Sequence, residues 1–275
     1  MKSIKLPSDL VSVDWLKANL DADNLIILDA SIPKVTASAQ ETNSKEYIPN
    51  SRFFDIKEAF SDSSSTFPNT LPSVGQFENE ARKLGINNDS AIVVYDDKGI
   101  YSSARPWWMF KAMGYDNVAV LDGGLPAWKK KGYPIQNVLD KPDSPGNFKG
   151  NYNPDFFKFF DDIQKSINDS SVQIIDARSK DRFEGVIEEP RKGLRSGHIP
   201  GSSNLPFGDL LNEGVFKSPE DVNMILTSVF QPNKNYVFSC GSGITACVLA
   251  LGAKLQGYEN LSVYDGSWTE YGSLT

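Results

Sequence analysis

The chain has 275 residues, of which 40% are hydrophobic, and its 35 acidic and 28 basic side chains give a formal net charge of -7. That length supports one large core or two domains of about 130 residues each. The acidic balance offers no basic field for nucleic acid or an anionic membrane surface, so a small molecule or a protein is the expected partner.

No apolar run reaches membrane-spanning length, and residues 1–20 lack the apolar stretch of a secretory signal. Leu25-Ile26-Ile27-Leu28 reads as a buried strand that ends on Asp29. Ser73 and Gln76 form a candidate capping box before a helix ending near Gly85, and Ala91–Tyr95 follows as a strand. Tyr101 and Ser102 lie in the loop after it, before a helix containing Trp107, Trp108, Met109 and Phe110. That aromatic run reads as a core face rather than a binding face. Residues 136–156 are rich in Pro, Gly, Asn and Asp without periodicity, the composition of a linker. The expected organisation is therefore a domain over 1–135, a linker over 136–156 and a second domain over 157–275. Further on, Ser218-Pro219 opens a helix, Tyr236–Ser239 is a strand, and Gly243–Gln256 is a helix stopped by Gly257.

The second half repeats the first. Leu25-Ile26-Ile27-Leu28-Asp29-Ala30 returns as Val172-Gln173-Ile174-Ile175-Asp176-Ala177, and Tyr47-Ile48-Pro49 as His198-Ile199-Pro200. Gly114-Tyr115 and Leu121-Asp122-Gly123 return as Gly257-Tyr258 and Tyr264-Asp265-Gly266. In each half short apolar runs alternate with helical patterns, which predicts an α/β domain with a parallel sheet flanked by helices. Aligning Gly114 with Gly257 places Asp97 opposite Cys240, so only the second half carries a thiol.

Cys240 sits at the carboxyl end of an expected strand, in Cys240-Gly241-Ser242-Gly243-Ile244-Thr245, ahead of an expected helix. Converging amide N–H groups and the helix N-terminus favour an anion there, and hence a nucleophilic thiolate. An ordinary buried cysteine at a strand end fits the same local pattern. Cys247 lies inside the helix and reads as core. Seven helical residues would hold the two cysteines roughly 10 Å apart, too far for a disulfide. Two clustered cysteines point to a reducing compartment, the cytoplasm. Arg182 and Arg191 suit bidentate capture of a carboxylate, or are two exposed arginines screened by Asp181, Glu184, Glu188 and Glu189. His198, the chain's one histidine, has Tyr47 as its counterpart, which suggests packing rather than catalysis. Two cysteines and one histidine make a poor metal set, and no phosphate-binding glycine loop is present.

From Leu25 to Trp268 these motifs resemble the two-domain rhodanese family of sulfurtransferases. The resemblance implies two tandem rhodanese-like domains, the first non-catalytic and the second carrying a cysteine that becomes a persulfide. The loop from Cys240 to Ala246 is similar to that of members using 3-mercaptopyruvate. Members using thiosulfate carry basic residues where Gly241 and Ser242 stand, because a dianion needs cations beside the thiolate. By that resemblance Cys240 is the catalytic residue. Arg182, Arg191, Gly241, Ser242, Gly243, Ile244 and Thr245 are then the substrate-binding residues, joined by Tyr101 on the separate ground that it projects from the first-half loop equivalent to the cysteine loop. The implied partners are a small-molecule sulfur donor and a thiol acceptor, such as a thioredoxin-like protein or a small thiol, or else cyanide, with neither cofactor nor metal. Thiosulfate transfer and a non-catalytic persulfide carrier are the alternatives. One departure stands out: many members place a histidine where Tyr47 stands, so a relay through Ser242 lacks its histidine.

Overall fold

The computed structural model describes residues 3–33 and 45–275. The chain divides into two compact units that do not coincide with its sequence halves. Residues 62–71 pack with the second unit, and Glu213–Val215 with the first.

The first unit contains β1 (Leu10–Val11), α1 (Val13–Ala18), β2 (Leu25–Asp29), β3 (Ser51–Phe53), α2 (Val74–Lys83), β4 (Ala91–Tyr95), α3 (Ala104–Ala112), β5 (Val118–Leu121) and α4 (Gly124–Lys130). Its strands form a five-stranded sheet in the order β1-β5-β4-β2-β3, with parallel neighbours throughout. Continuous apolar runs mark β2, β4 and β5 because helices cover both faces of a parallel sheet. Trp107 and Trp108 are buried in α3, as the core reading expects. Each fully buried side chain of this size contributes on the order of 2–3 kcal/mol.

Ser73 caps α2 through its side chain at Gln76 N, 3.3 Å. The reciprocal half of the expected capping box is not made, because Gln76 Nε2 donates instead to Ala59 O (3.0 Å) and Ser61 O (2.8 Å). Residues 136–152 pack with this unit. Gly146 N donates to Arg82 O, Phe148 N donates to Ile86 O, and the Phe148 ring is buried against Phe77 and Phe110.

The second unit contains β6 (Phe157–Lys158), α5 (Phe160–Ser166), β7 (Val172–Asp176), α6 (Lys180–Phe183) and β8 (Ser203–Asn204), and the short strands β9 (Leu211–Asn212) and β10 (Val215–Phe216) follow. It ends with α7 (Pro219–Val229), β11 (Asn235–Ser239), α8 (Ala246–Leu255), β12 (Leu261–Tyr264) and α9 (Ser267–Leu274). The sheet order β6-β12-β11-β7-β8 repeats that of the first unit element for element, again with parallel pairs. Ser218 caps α7 at Asp221 N with Pro219 in the first turn.

Helix α8 begins at Ala246, three residues later than its apolar pattern suggests, because Gly243 has φ +72°. That left-handed backbone cannot continue a right-handed helix.

Candidate active site

Cys240 is the first residue after the central strand β11 and is buried, 2% exposed. Its N–H donates to Ser267 Oγ at 3.1 Å, and the Gly243 N–H donates to the same oxygen at 3.0 Å. Ser267 Oγ in turn donates to Tyr264 O at 2.8 Å and stands 4.0 Å from Cys240 Sγ. Ser267 has φ +51°, a strained backbone for a side-chain-bearing residue. The strain places its hydroxyl between β12 and the thiol loop. Downstream, Trp268 N donates to Cys240 O and Thr269 N to Gly241 O, both at 3.0 Å. The start of α9 thereby fixes the loop.

These bonds account for two N–H groups of the loop. The Gly243 N–H is therefore not available to an anion in the loop, because it is spent on Ser267. The N–H groups of Gly241, Ser242, Ile244 and Thr245 donate to no group among the described residues.

The first unit shows what such a loop holds. Asp29 pairs with Tyr95 as Asp176 pairs with Ser239, Ala30 N donates to Tyr95 O as Ala177 N does to Ser239 O, and Leu125 N donates to Asp96 O as Trp268 N does to Cys240 O. The counterpart of Cys240 is thus Asp96, not the Asp97 suggested by glycine spacing; the loop of the first unit is two residues longer, 97–103 before α3 against 241–245 before α8. The Asp96 carboxylate fills its own loop. Oδ2 accepts from Tyr101 N, Ser102 N and Ser103 N, and Oδ1 from Lys98 N, each at 2.9 Å. Counting back from the first residues of α3 and α8, the matching donors in the second unit are Gly243, Ile244 and Thr245, of which the Gly243 N–H is already given to Ser267.

Both sequence-predicted arginines lie in the second unit with the thiol loop. A Cβ added to Gly241 would come 3.1 Å from Arg182 Nη2 and 3.7 Å from Arg191 Nη1, so both guanidinium groups stand over that glycine. Arg182 is carried by α6 and is not simply screened by surface acids. Glu189, its carboxylate buried, accepts from Arg182 Nη2 at 2.6 Å and Nε at 3.2 Å. The same Glu189 accepts from Arg178 Nη1 at 2.7 Å, and Arg178 pairs with Asp176 at 2.7 Å. Two carboxylates and two guanidinium groups alternate along this row, which holds Arg182 as a fixed fork.

Arg191 Nη2 reaches Ser242 Oγ at 3.1 Å. Ser242 is also reached by a residue that sequence reasoning did not single out: Asn69 Nδ2 donates to Ser242 Oγ at 3.0 Å. Nothing periodic marks Asn69, which sits in a polar stretch after β3. Ser267 carries no signal in its local sequence, and Glu189 reads there only as charge screening.

The remaining expectations divide. Tyr101 lies in the first unit, where its N–H serves Asp96. Tyr47 is also in the first unit and forms a two-way backbone bridge with Gln136. His198 stacks on Phe183 at 4.0 Å and its Nδ1 bonds Phe183 O at 2.8 Å, a packing role. Cys247 is buried with Sγ bonded to Gly243 O. Among the described residues no cluster of three metal-ligating side chains occurs, and no helix is long and apolar enough to cross a membrane.

Compared with known proteins, the chain matches the rhodanese-like domain family twice, over residues 12–131 and 160–274. It is 39% identical to 3-mercaptopyruvate sulfurtransferase of Homo sapiens, over 98% of this chain and 94% of that protein. It is 37% identical to the mitochondrial thiosulfate/3-mercaptopyruvate sulfurtransferase 1 of Arabidopsis thaliana, over 98% of this chain and 77% of that one. Among solved structures, SseA from Escherichia coli, described among 3-mercaptopyruvate sulfotransferases, superposes with a TM-score of 0.85 at 32% identity. That match covers 95% of this chain and 99% of the other.

Proposed function

The chain belongs to the rhodanese-like family, and from that premise we propose that it moves the sulfur of 3-mercaptopyruvate through a Cys240 persulfide to a thiol or cyanide acceptor, releasing pyruvate. The observation that carries this reading is the contrast between the two loops. In the first unit a carboxylate occupies the amide donors, whereas in the second the N–H groups of Gly241, Ser242, Ile244 and Thr245 donate to no described group and follow a buried thiol. Open amide donors at a helix N-terminus stabilise an anionic sulfur, first as thiolate and then as persulfide.

In the first half-reaction the Cys240 thiolate attacks the sulfur of mercaptopyruvate. The S–S bond forms as the C–S bond breaks, and the electron pair leaves on carbon as the enolate of pyruvate, which takes a proton from water. The substrate's own S–H proton stays on the outer sulfur or is released to solvent. In the second half-reaction an acceptor thiolate or cyanide takes the outer sulfur and returns the Cys240 thiolate. A small thiol or a thioredoxin-like protein suits this step, and a reducing compartment such as the cytoplasm keeps both thiols available.

Arg182 and Arg191 bind the substrate carboxylate and carbonyl, fixing the sulfur in line with Cys240. The donor preference follows from Gly241. Its absent side chain faces Arg182 at close range, so a basic residue there would meet a guanidinium already in place. That favours one carboxylate held by two arginines over a dianion bound at the loop itself.

Pyruvate release from mercaptopyruvate, measured beside thiosulfate turnover, tests the reading. Wild type should prefer mercaptopyruvate, its Cys240 should gain one sulfur by intact mass, and Cys240→Ser should do neither. A faster turnover with thiosulfate would reassign the donor. Sulfur retained against every small acceptor and released to one protein would make the chain a carrier.

A further inference from the structure

Ser242 Oγ accepts two hydrogen bonds, from Asn69 Nδ2 at 3.0 Å and from Arg191 Nη2 at 3.1 Å. A hydroxyl has two lone pairs and one proton. With both lone pairs turned to donors, the proton points away from Asn69 and Arg191. Arginine has no acceptor to offer, so the direction of that proton depends on which atom residue 69 presents.

Asn69 is built into this position. It is 7% exposed and has φ +62°, a left-handed backbone that asparagine tolerates better than most residues. Its segment is closed by Asp62 N donating to Thr70 O at 3.0 Å and is pinned by Leu71 N donating to Asp265 Oδ2 at 2.8 Å. That places the segment beside the loop that carries Cys240 and Ser242.

We propose that Asn69 is a positioning residue that keeps Ser242 a hydrogen-bond donor, aiming its hydroxyl proton at the carbonyl oxygen of mercaptopyruvate. This rests on the mercaptopyruvate reading above. As the C–S bond breaks, negative charge moves from the carbon to that oxygen, and a donor oriented in advance stabilises the enolate. Thiosulfate has no such oxygen, so its sulfur transfer does not need the orientation. The amide of residue 69 thereby helps to select the donor without touching it.

The test uses Asn69→Asp, nearly isosteric and equally tolerant of the backbone, with Asn69→Leu as a neutral companion. Each is made in the wild-type and Ser242→Ala backgrounds, and folding is checked by thermal melting. An aspartate only accepts, so it turns the Ser242 proton toward itself. Asn69→Asp should slow single-turnover pyruvate release by about 10²-fold, as expected for loss of one oriented oxyanion donor. KM should change little, and discharge of a preformed persulfide should be unaffected. Asn69→Leu should lose less with mercaptopyruvate and nothing with thiosulfate. In the Ser242→Ala background Asn69→Asp should have no further effect, whereas a pure charge effect or a structural defect would persist there. Wild-type rates for Asn69→Asp, or equal losses in the two backgrounds, would overturn the proposal. Absence of pyruvate from the wild-type enzyme would instead remove the mercaptopyruvate premise.

Discussion

Asp96 and Cys240 occupy one position of a duplicated fold. Each follows the central strand of its sheet, and each carbonyl accepts from the helix beyond the last strand, from Leu125 N and Trp268 N respectively, at 3.0 Å. Four N–H groups hold the Asp96 carboxylate, whereas the N–H groups of Gly241, Ser242, Ile244 and Thr245 that follow Cys240 donate to no described group. The carboxylate is a permanent resident, while the thiol leaves room for chemistry.

Replacing Asp96 with alanine should therefore destabilise the first unit. Three N–H groups that share Oδ2 would lose their acceptor, at a cost of order 3 kcal/mol or more. Chemical denaturation should register the loss. Added formate or acetate should restore part of it in the variant and none in wild type, because the emptied loop can take a small carboxylate.

Ser267 should be required for loop geometry. Ser267→Ala strips the acceptor from Cys240 N–H and Gly243 N–H and should cost about 1–3 kcal/mol, together with slower persulfide formation. Ser267→Gly also lacks the hydroxyl but relieves a backbone at φ +51°, so it should melt above the alanine variant. Equal melting of the two would contradict a strained Ser267.

Glu189→Gln should lower stability by about 3 kcal/mol, since it breaks a buried ion pair at one partner and leaves guanidinium charge uncompensated. Arg178 keeps Asp176, so the fold should survive at reduced temperature. Arg182 loses its fixed fork, and KM for mercaptopyruvate should rise more than kcat falls. A variant with unchanged stability and unchanged KM would show that Glu189 does not hold Arg182.

The pH dependence of stability should carry a signature of Asp29. Burial pushes its carboxyl above the usual carboxylate range; hydrogen bonds from Ser31 offset part of this, and the charges of Asp97 and Asp96 add to the rise. A folded-state pKa above the unfolded value of about 3.9 means that the contribution to stability is complete below that value. It is lost as pH rises through the folded pKa. Asp29→Asn removes the titration, so its stability relative to wild type should improve from about pH 4 toward neutrality. A difference that is flat over this range would show that Asp29 ionises normally.

Much of the architecture was legible in the chain itself. The runs Leu25–Leu28 and Ala91–Tyr95 are apolar on both faces because both faces are covered, and that local property identifies buried parallel strands. Ser73 and Ser218 announced helix starts through short-range caps. The thiol loop was legible for the same reason: strand, glycines and helix are adjacent in sequence. Its apolar pattern starts the helix three residues early, since composition alone does not reveal that Gly243 turns left-handed.

Neighbouring residues alone set out a duplicated α/β chain with one thiol loop and two candidate arginines, because strands, helices and turns are local features. Tertiary packing establishes that Asp96 is the counterpart of Cys240, since strand register places the additional residues in the first loop. It alone decided what surrounds the thiol. Asn69 meets Ser242 across 173 residues and Ser267 meets Cys240 across 27. Hydrogen bonds between such distant positions depend on how segments pack, which no local pattern encodes. The thiol loop was written in the sequence, and the groups that orient it were settled by folding.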